Sequence, residues 1–143
     1  MRLLLDTNAL IWFLAAEFME PDALFAISQA QKAASLYVSP ITAWEAALAL
    51  NKANPAKRPN LNGQDAATWF RQGCAITGAK IARIGSRIAL EAARVPLVSG
   101  NGDPGDCFII ATARVSKLAV VTRDRIMQRL SANDSNYLKT TPC

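Results

Sequence analysis

Arg2-Leu3-Leu4-Leu5-Asp6-Thr7-Asn8-Ala9-Leu10-Ile11-Trp12-Phe13 is the stretch on which the fold turns. Its three leucines form a short unbroken apolar run, which suits a strand buried on both faces, as in a parallel sheet. Asp6 comes where that strand should end, and residues 9–16 then read as helix. A carboxylate at the C-terminal end of an inner parallel strand sits where open α/β sheets place their ligands. An aspartate in that position also serves as an N-cap. One such residue therefore decides little, and the weight falls on how often the arrangement recurs.

It recurs along the chain. Glu20-Pro21-Asp22 opens a second helix, with proline near its first position and acids in its first turn. Leu36-Tyr37-Val38 reads as a strand ended by Ser39-Pro40, and residues 41–50 as a helix with Ile41, Trp44 and Leu48 on one apolar stripe. Glu45 lies on that stripe with no basic neighbour three or four residues away, so it calls for a distant arginine or a metal ion. Residues 51–63 form a basic loop with Lys57 and Arg58, a solvated surface or a phosphate contact. Residues 64–72 read as helix, with Trp69 and Phe70 in the core, and 80–84 as a short edge strand.

Ser86 caps a helix expected to run to about Arg94, with Pro96 barring its continuation. Asp103-Pro104-Gly105 has the residues of a type II turn. Asp106 opens an uncharged helical stretch up to Arg114. Residues 118–121 give another doubly buried strand, then Thr122-Arg123-Asp124, a short helix to about Leu130, and a last edge strand at 137–139. Strands alternating with helices imply right-handed crossovers and one open parallel sheet with helices on both faces, a single domain over residues 1–143.

Composition narrows the chemistry. With 143 residues, 51% apolar and 19% charged, the chain is an ordinary globular one and buries about two-thirds of its unfolded surface. A net charge of +5 favours an anionic partner, nucleic acid first, over a merely soluble basic surface. Histidine is absent, which removes Ser-His-Asp and Cys-His triads and histidine-liganded zinc. Three scattered cysteines, Cys74, Cys107 and Cys143, suit a reducing cytosol and make no zinc site. Acids interrupt every apolar run well short of the roughly 18 residues that span a bilayer, so a soluble cytoplasmic protein is expected.

In this architecture the strand C-termini share one edge. Asp6, Glu45, Asp103, Asp106 and Asp124, five of the eleven acidic residues, should converge there. Each alone is explained as a cap or a turn former. Together they would repel, and a carboxylate cluster without histidine is what oxygen-seeking Mg²⁺ or Mn²⁺ requires. Such an ion could polarise a phosphodiester and activate water near neutral pH.

Asp6-Thr7-Asn8 with Trp12, Ser39-Pro40 with Trp44-Glu45, Asp103-Pro104-Gly105-Asp106 with Ile110-Ala111-Thr112-Ala113, and Val121-Thr122-Arg123-Asp124 resemble the motifs of PIN-domain ribonucleases. Within that family the chain resembles the VapC toxins of bacterial toxin–antitoxin pairs, and the resemblance spans nearly the whole chain. It implies a PIN-like three-layer α/β fold with about five parallel strands in the order 3-2-1-4-5. It also implies a metal-dependent endoribonuclease that cuts single-stranded or loop RNA with Mg²⁺ or Mn²⁺ held by Asp6, Glu45, Asp106 and Asp124. Asp103, Thr122 and Asn8 would support that site, and Arg123, Arg125, Lys57 and Arg58 are candidate RNA contacts.

A small antitoxin protein and a homodimer are the implied partners. The apolar residues Trp12, Phe13, Phe18, Met19 and Phe25 agree, since they exceed what so small a core needs. One departure stands out: relatives commonly carry His-Arg before the Asp-Pro turn and arginine after the second Asp, where this chain has Asn101, Gly102 and Cys107. Two alternatives compete, a PIN-domain RNA-processing nuclease without an antitoxin and a receiver-like phosphoacceptor module. A haloacid dehalogenase-type phosphatase would want a second Asp where Asn8 stands.

Overall fold

A computed structural model describes residues 1–143. Five strands, β1 (Leu3–Leu5), β2 (Leu36–Val38), β3 (Lys80–Ile81), β4 (Ala119–Thr122) and β5 (Lys139–Pro142), form one sheet in the order β3-β2-β1-β4-β5. All four pairings are parallel, and β1 lies at the centre with Leu4 opposite Tyr37 on one side and Val120 on the other. The leucine run is buried on both faces, as its composition demands. Leu3 and Leu5 pack with Leu10, Ile27 and Trp69, while Leu4 packs with Ile88, Val95, Ile110 and Met127.

Helices α1 (Thr7–Leu14), α2 (Pro21–Lys32), α3 (Pro40–Leu50) and α4 (Ala66–Thr77) supply the first of these clusters. Helices α5 (Ser86–Ser99), α6 (Pro104–Ser116) and α7 (Arg125–Asn133) supply most of the second. The result is three layers. A receiver module has the order 2-1-3-4-5, so the topology excludes that alternative. The strand order reverses between β1 and β4, the switch point where open α/β sheets bind ligands. Asp6 leaves β1 there and Asp124 comes after β4.

Besides the N-cap of α5, which is Gly85 and not Ser86, and β3, which stops at Ile81, the structure departs from the sequence expectations in four places of the fold. Pro96 lies inside α5, which runs on to Ser99 and ends at Gly100 in the left-handed region, φ 71°. The buried stripe Ile88, Ala92 and Val95 anchors the helix across the lost N–H bond, so packing overrides the local penalty. The last strand begins two residues later than expected. Tyr137 closes a turn with its N–H donating to Asp134 O at 3.0 Å, and its ring stacks under Arg114. Third, the Trp44 and Leu48 stripe of α3 faces solvent, with 46% and 49% of each residue exposed. The helix buries Thr42 and Ala46 instead. Finally, Met19 is buried and Trp12 and Phe13 pack against the core, so only Phe18 and Phe25 of the supposed apolar surplus are open to solvent. No helix is long and apolar enough to cross a membrane.

Because Leu4 is fully buried at the centre of the sheet, Leu4→Ala should lower unfolding free energy by about 2–5 kcal/mol in urea titration. Leu97, 85% exposed on α5, should tolerate alanine within about 0.5 kcal/mol.

Candidate metal centre

Three of the acidic residues are held by the helices they begin. An Asp6 carboxylate oxygen accepts from Ala9 N at 2.7 Å, capping α1. Asp103 accepts from Asp106 N at 3.0 Å, capping α6, and Asp124 from Met127 N at 2.8 Å, capping α7. Capping and ligand roles are therefore not alternatives here. A cap occupies one carboxylate oxygen and leaves the other free.

Asp106 and Glu45 are positioned differently. Asp103-Pro104-Gly105 does not form a type II turn; it is the N-cap and first turn of α6, with Pro104 at the first helical position and no positive φ at Gly105. Asp106 stands three residues after the cap, where a capping box would turn its carboxylate back to the Asp103 N–H. That N–H instead donates to Asn101 Oδ1 at 3.0 Å, and Asn101 Nδ2 donates to Asp106 Oδ2, also at 3.0 Å. Asn101 thus frees the Asp106 carboxylate from the cap and aims it.

Glu45 has no cationic partner; the one ion pair in the protein joins Arg114 to Glu91. Thr7 Oγ1 donates to Glu45 Oε1 at 2.5 Å and lies 3.0 Å from the buried Thr42 hydroxyl. The Glu45 carboxylate rests on Gly105, where a Cβ would overlap Oε2 and the carboxyl carbon. Glycine is needed at 105 for this close approach and not for its backbone freedom.

Electrostatics reflect burial first and crowding second. Burial, together with the smaller effect of the Asp106 and Asp124 charges, pushes the Asp6 carboxyl up to about 6, against the pull of the Thr122 hydroxyl and the Ala9 amide. Burial, then Asp103 and Asp124, pushes Asp106 up to about 6 as well, and burial raises Glu45. Asp6, Glu45, Asp106 and Asp124 line a cleft of about 240 Å³ together with Trp12 and Arg123. Arg123 lies 3.8 Å over the Trp12 ring and donates to Phe18 O. Glu45, Asp103 and Asp106 each offer an oxygen within 4.8 Å of the others. Asp6 and Asp124 line the same cleft without joining that triplet. Hard oxygen donors that form no ion pair fit Mg²⁺ or Mn²⁺.

The other sequence candidates divide. Thr122 is buried and its hydroxyl accepts from Asp124 N at 2.9 Å. Asn8 lines the cleft but its side chain makes no hydrogen bond within the protein. Lys57 and Arg58 line an adjoining groove, and Arg125 lies outside both. Sequence reading missed Thr7, Thr42 and Gly105 as supports, and took Asn101 only as a lost cation. The spacing Asn101-Gly102-Asp103, an Asx turn onto the N-cap, was a readable signal for Asn101. The pairing of Thr7 with Glu45, 38 positions apart, had none.

A search of the curated proteins finds no match to the chain. Among solved structures it is similar to VapBC2 from Rickettsia felis bound to a promoter DNA fragment, with TM-score 0.66, 13% identity, and 100% and 99% of the two chains covered. It is also similar to VapBC-1 from nontypeable Haemophilus influenzae, with TM-score 0.60, 18% identity, and 99% and 98% covered. A toxin–antitoxin complex from Klebsiella pneumoniae gives TM-score 0.53 at 22% identity, covering 85% and 86%. These likenesses concern the fold. The sequence itself matches the PIN domain family model over residues 3–133, and the chain belongs to that family.

Proposed function

We propose that this PIN domain is a metal-dependent endoribonuclease acting on single-stranded or loop RNA, and the toxin of a toxin–antitoxin pair. The observation that carries the nuclease reading is the convergence of Asp6, Glu45, Asp106 and Asp124 on one cleft with none of the four in an ion pair. Those four carboxylates, with Asp103 at the edge, would hold Mg²⁺ or Mn²⁺. Bound there, the ion supplies Lewis-acid polarisation of a phosphodiester and eases loss of a proton from water. The protein's own part is orientation. Thr7 fixes Glu45, Asn101 fixes Asp106, and Thr122 fixes the backbone that presents Asp124. Arg123, held over Trp12 at the cleft wall, presents a cation to an entering phosphate. With Asn101, Gly102 and Cys107 where relatives carry cations, Arg123 is the basic residue lining this cleft.

The toxin reading is supported by similarity to structures described as VapBC2 and as a toxin–antitoxin complex. An antitoxin and a second copy of the chain would cover the exposed Phe18, Phe25, Leu90 and Leu97. Expression of the chain alone should arrest growth, and light scattering should give twice the chain mass. A monomer harmless to its host overturns this part of the proposal.

Cleavage of RNA should stop in chelator and return with Mg²⁺ or Mn²⁺. Asp6→Asn keeps the cap, since asparagine caps as well as aspartate, yet should lower kcat at least 100-fold, as should Asp106→Asn. Glu45→Gln and Gly105→Ala, which displaces the Glu45 carboxylate, should each lower it about tenfold. Full activity in both Asp→Asn variants would refute the assignment.

Metal-free stability should also depend on pH. The folded carboxyls of Asp6 and Asp106 lie at about 6, above the ordinary 3.8. The folded protein therefore binds more protons than the unfolded chain between those values, and is least favoured above 6. In chelator, thermal unfolding should shift upward as pH falls from 8 to 5, and Asp106→Asn should flatten the rise. A Tm that falls over that range contradicts the raised carboxyls of Asp6 and Asp106.

A further inference from the structure

The exposed stripe of α3 is unexplained by the metal centre. Trp44 and Leu48, one turn apart, face solvent and lead past the end of α3 at Leu50 to Lys52. They line an open groove of about 670 Å³ that begins at the acidic cleft, with which it shares Thr7, Asn8, Trp12 and Glu45. The groove ends at Lys52, Lys57 and Arg58. None of these three cations is in an ion pair. The loop that carries them is tied down, because Arg58 Nε donates to Lys52 O at 2.8 Å and the Pro55–Lys57 3-10 turn is capped by Asn54.

We propose that this groove binds the single-stranded RNA segment flanking the phosphate in the cleft, with Trp44 stacking on a base and Lys52, Lys57 and Arg58 holding its backbone. Stacking tolerates any base because each has a π-face, and cations along the path track the phosphates. The charge layout favours RNA over a protein helix. Apart from Glu17, the acids of the groove are Glu45 and Asp103 of the metal centre, while its far end is purely basic. Continuity argues the same way, since a strand whose phosphate enters the cleft must leave along an open channel. The assignment rests on the nuclease reading and extends it to the substrate's flank.

The test uses a 20-nucleotide single-stranded RNA of randomised sequence, labelled with fluorescein, in Ca²⁺ buffer, with the RNA checked on a gel to be intact. Trp44→Ala should raise Kd about tenfold, in keeping with the loss of one stacked base. Trp44→Phe should restore most of the affinity and Trp44→Leu should not, which separates a π-face from mere apolar area. Lys57→Ala/Arg58→Ala should flatten the slope of log Kd against log salt by about 1.4, at roughly 0.7 per phosphate contact on single strands. Hydrolysis of bis(p-nitrophenyl) phosphate with Mn²⁺, which is too small to reach the groove, should be unchanged in all of these variants. Unchanged RNA binding in Trp44→Ala overturns the proposal and leaves the stripe to a protein partner. A parallel loss of ester hydrolysis also overturns it, since the effect would then come from the neighbouring Glu45. If wild type hydrolyses neither ester nor RNA while Trp44→Ala loses RNA affinity, the groove stands and the nuclease reading fails.

Discussion

Carboxylates crowded into a half-buried cleft repel one another, and most of what is particular about this structure answers that repulsion. An arginine partner would be the simplest remedy, but it would also occupy the carboxylate oxygens that face the cleft. The protein uses neutral donors instead. The backbone amides of Ala9, Asp106 and Met127 each take one aspartate oxygen, and Thr7 and Asn101 take one oxygen each of Glu45 and Asp106. The first turns of α1, α6 and α7 add the partial positive charge of helix N-termini. The carboxylates are thereby oriented but not neutralised, and burial first, with the neighbouring charges adding to it, raises the protonation range of Asp6 and Asp106.

The sheet contributes by placing these donors. Three helix N-termini can meet only because β1 and β4 are neighbours and their succeeding helices depart to opposite faces. Central position and complete burial of β1 are thus conditions for the site, not a separate matter of stability. The single cation at the cleft wall, Arg123, is tethered by Trp12 and by the Phe18 carbonyl. It is kept in place by contacts that do not involve the acids.

The sequence carried the fold with unusual clarity, because unbroken apolar runs such as Leu3-Leu4-Leu5 and Leu118–Val121 are hard to place anywhere but in a buried parallel sheet. Recurrence of acids at the ends of those runs made the cleft legible too. What failed were inferences from one residue's local preference. Pro96 did not end its helix, because a buried face outweighs one missing hydrogen bond. Trp44 and Leu48 had the spacing of a core stripe, yet α3 turns Thr42 and Ala46 inward, since small side chains admit closer packing against its neighbours. Periodicity reports that a helix has an apolar side but not what that side meets. Asp103-Pro104-Gly105 has turn chemistry and helix-start chemistry in the same letters, and only the three-dimensional neighbour Glu45 decides what the glycine is for.

That neighbour has a consequence for how such a site can change over time. The carboxylate of Glu45 and a Cβ at position 105 would claim the same few cubic ångströms. The two positions, 60 residues apart in the chain, are therefore one unit of inheritance. A longer side chain at 105 requires that the side chain at 45 shorten or turn away, and a lineage that takes that step has moved the carboxylate from its place in the cleft. Bulk at 105 is consequently a one-way door: a glutamate returning to 45 then finds its place filled.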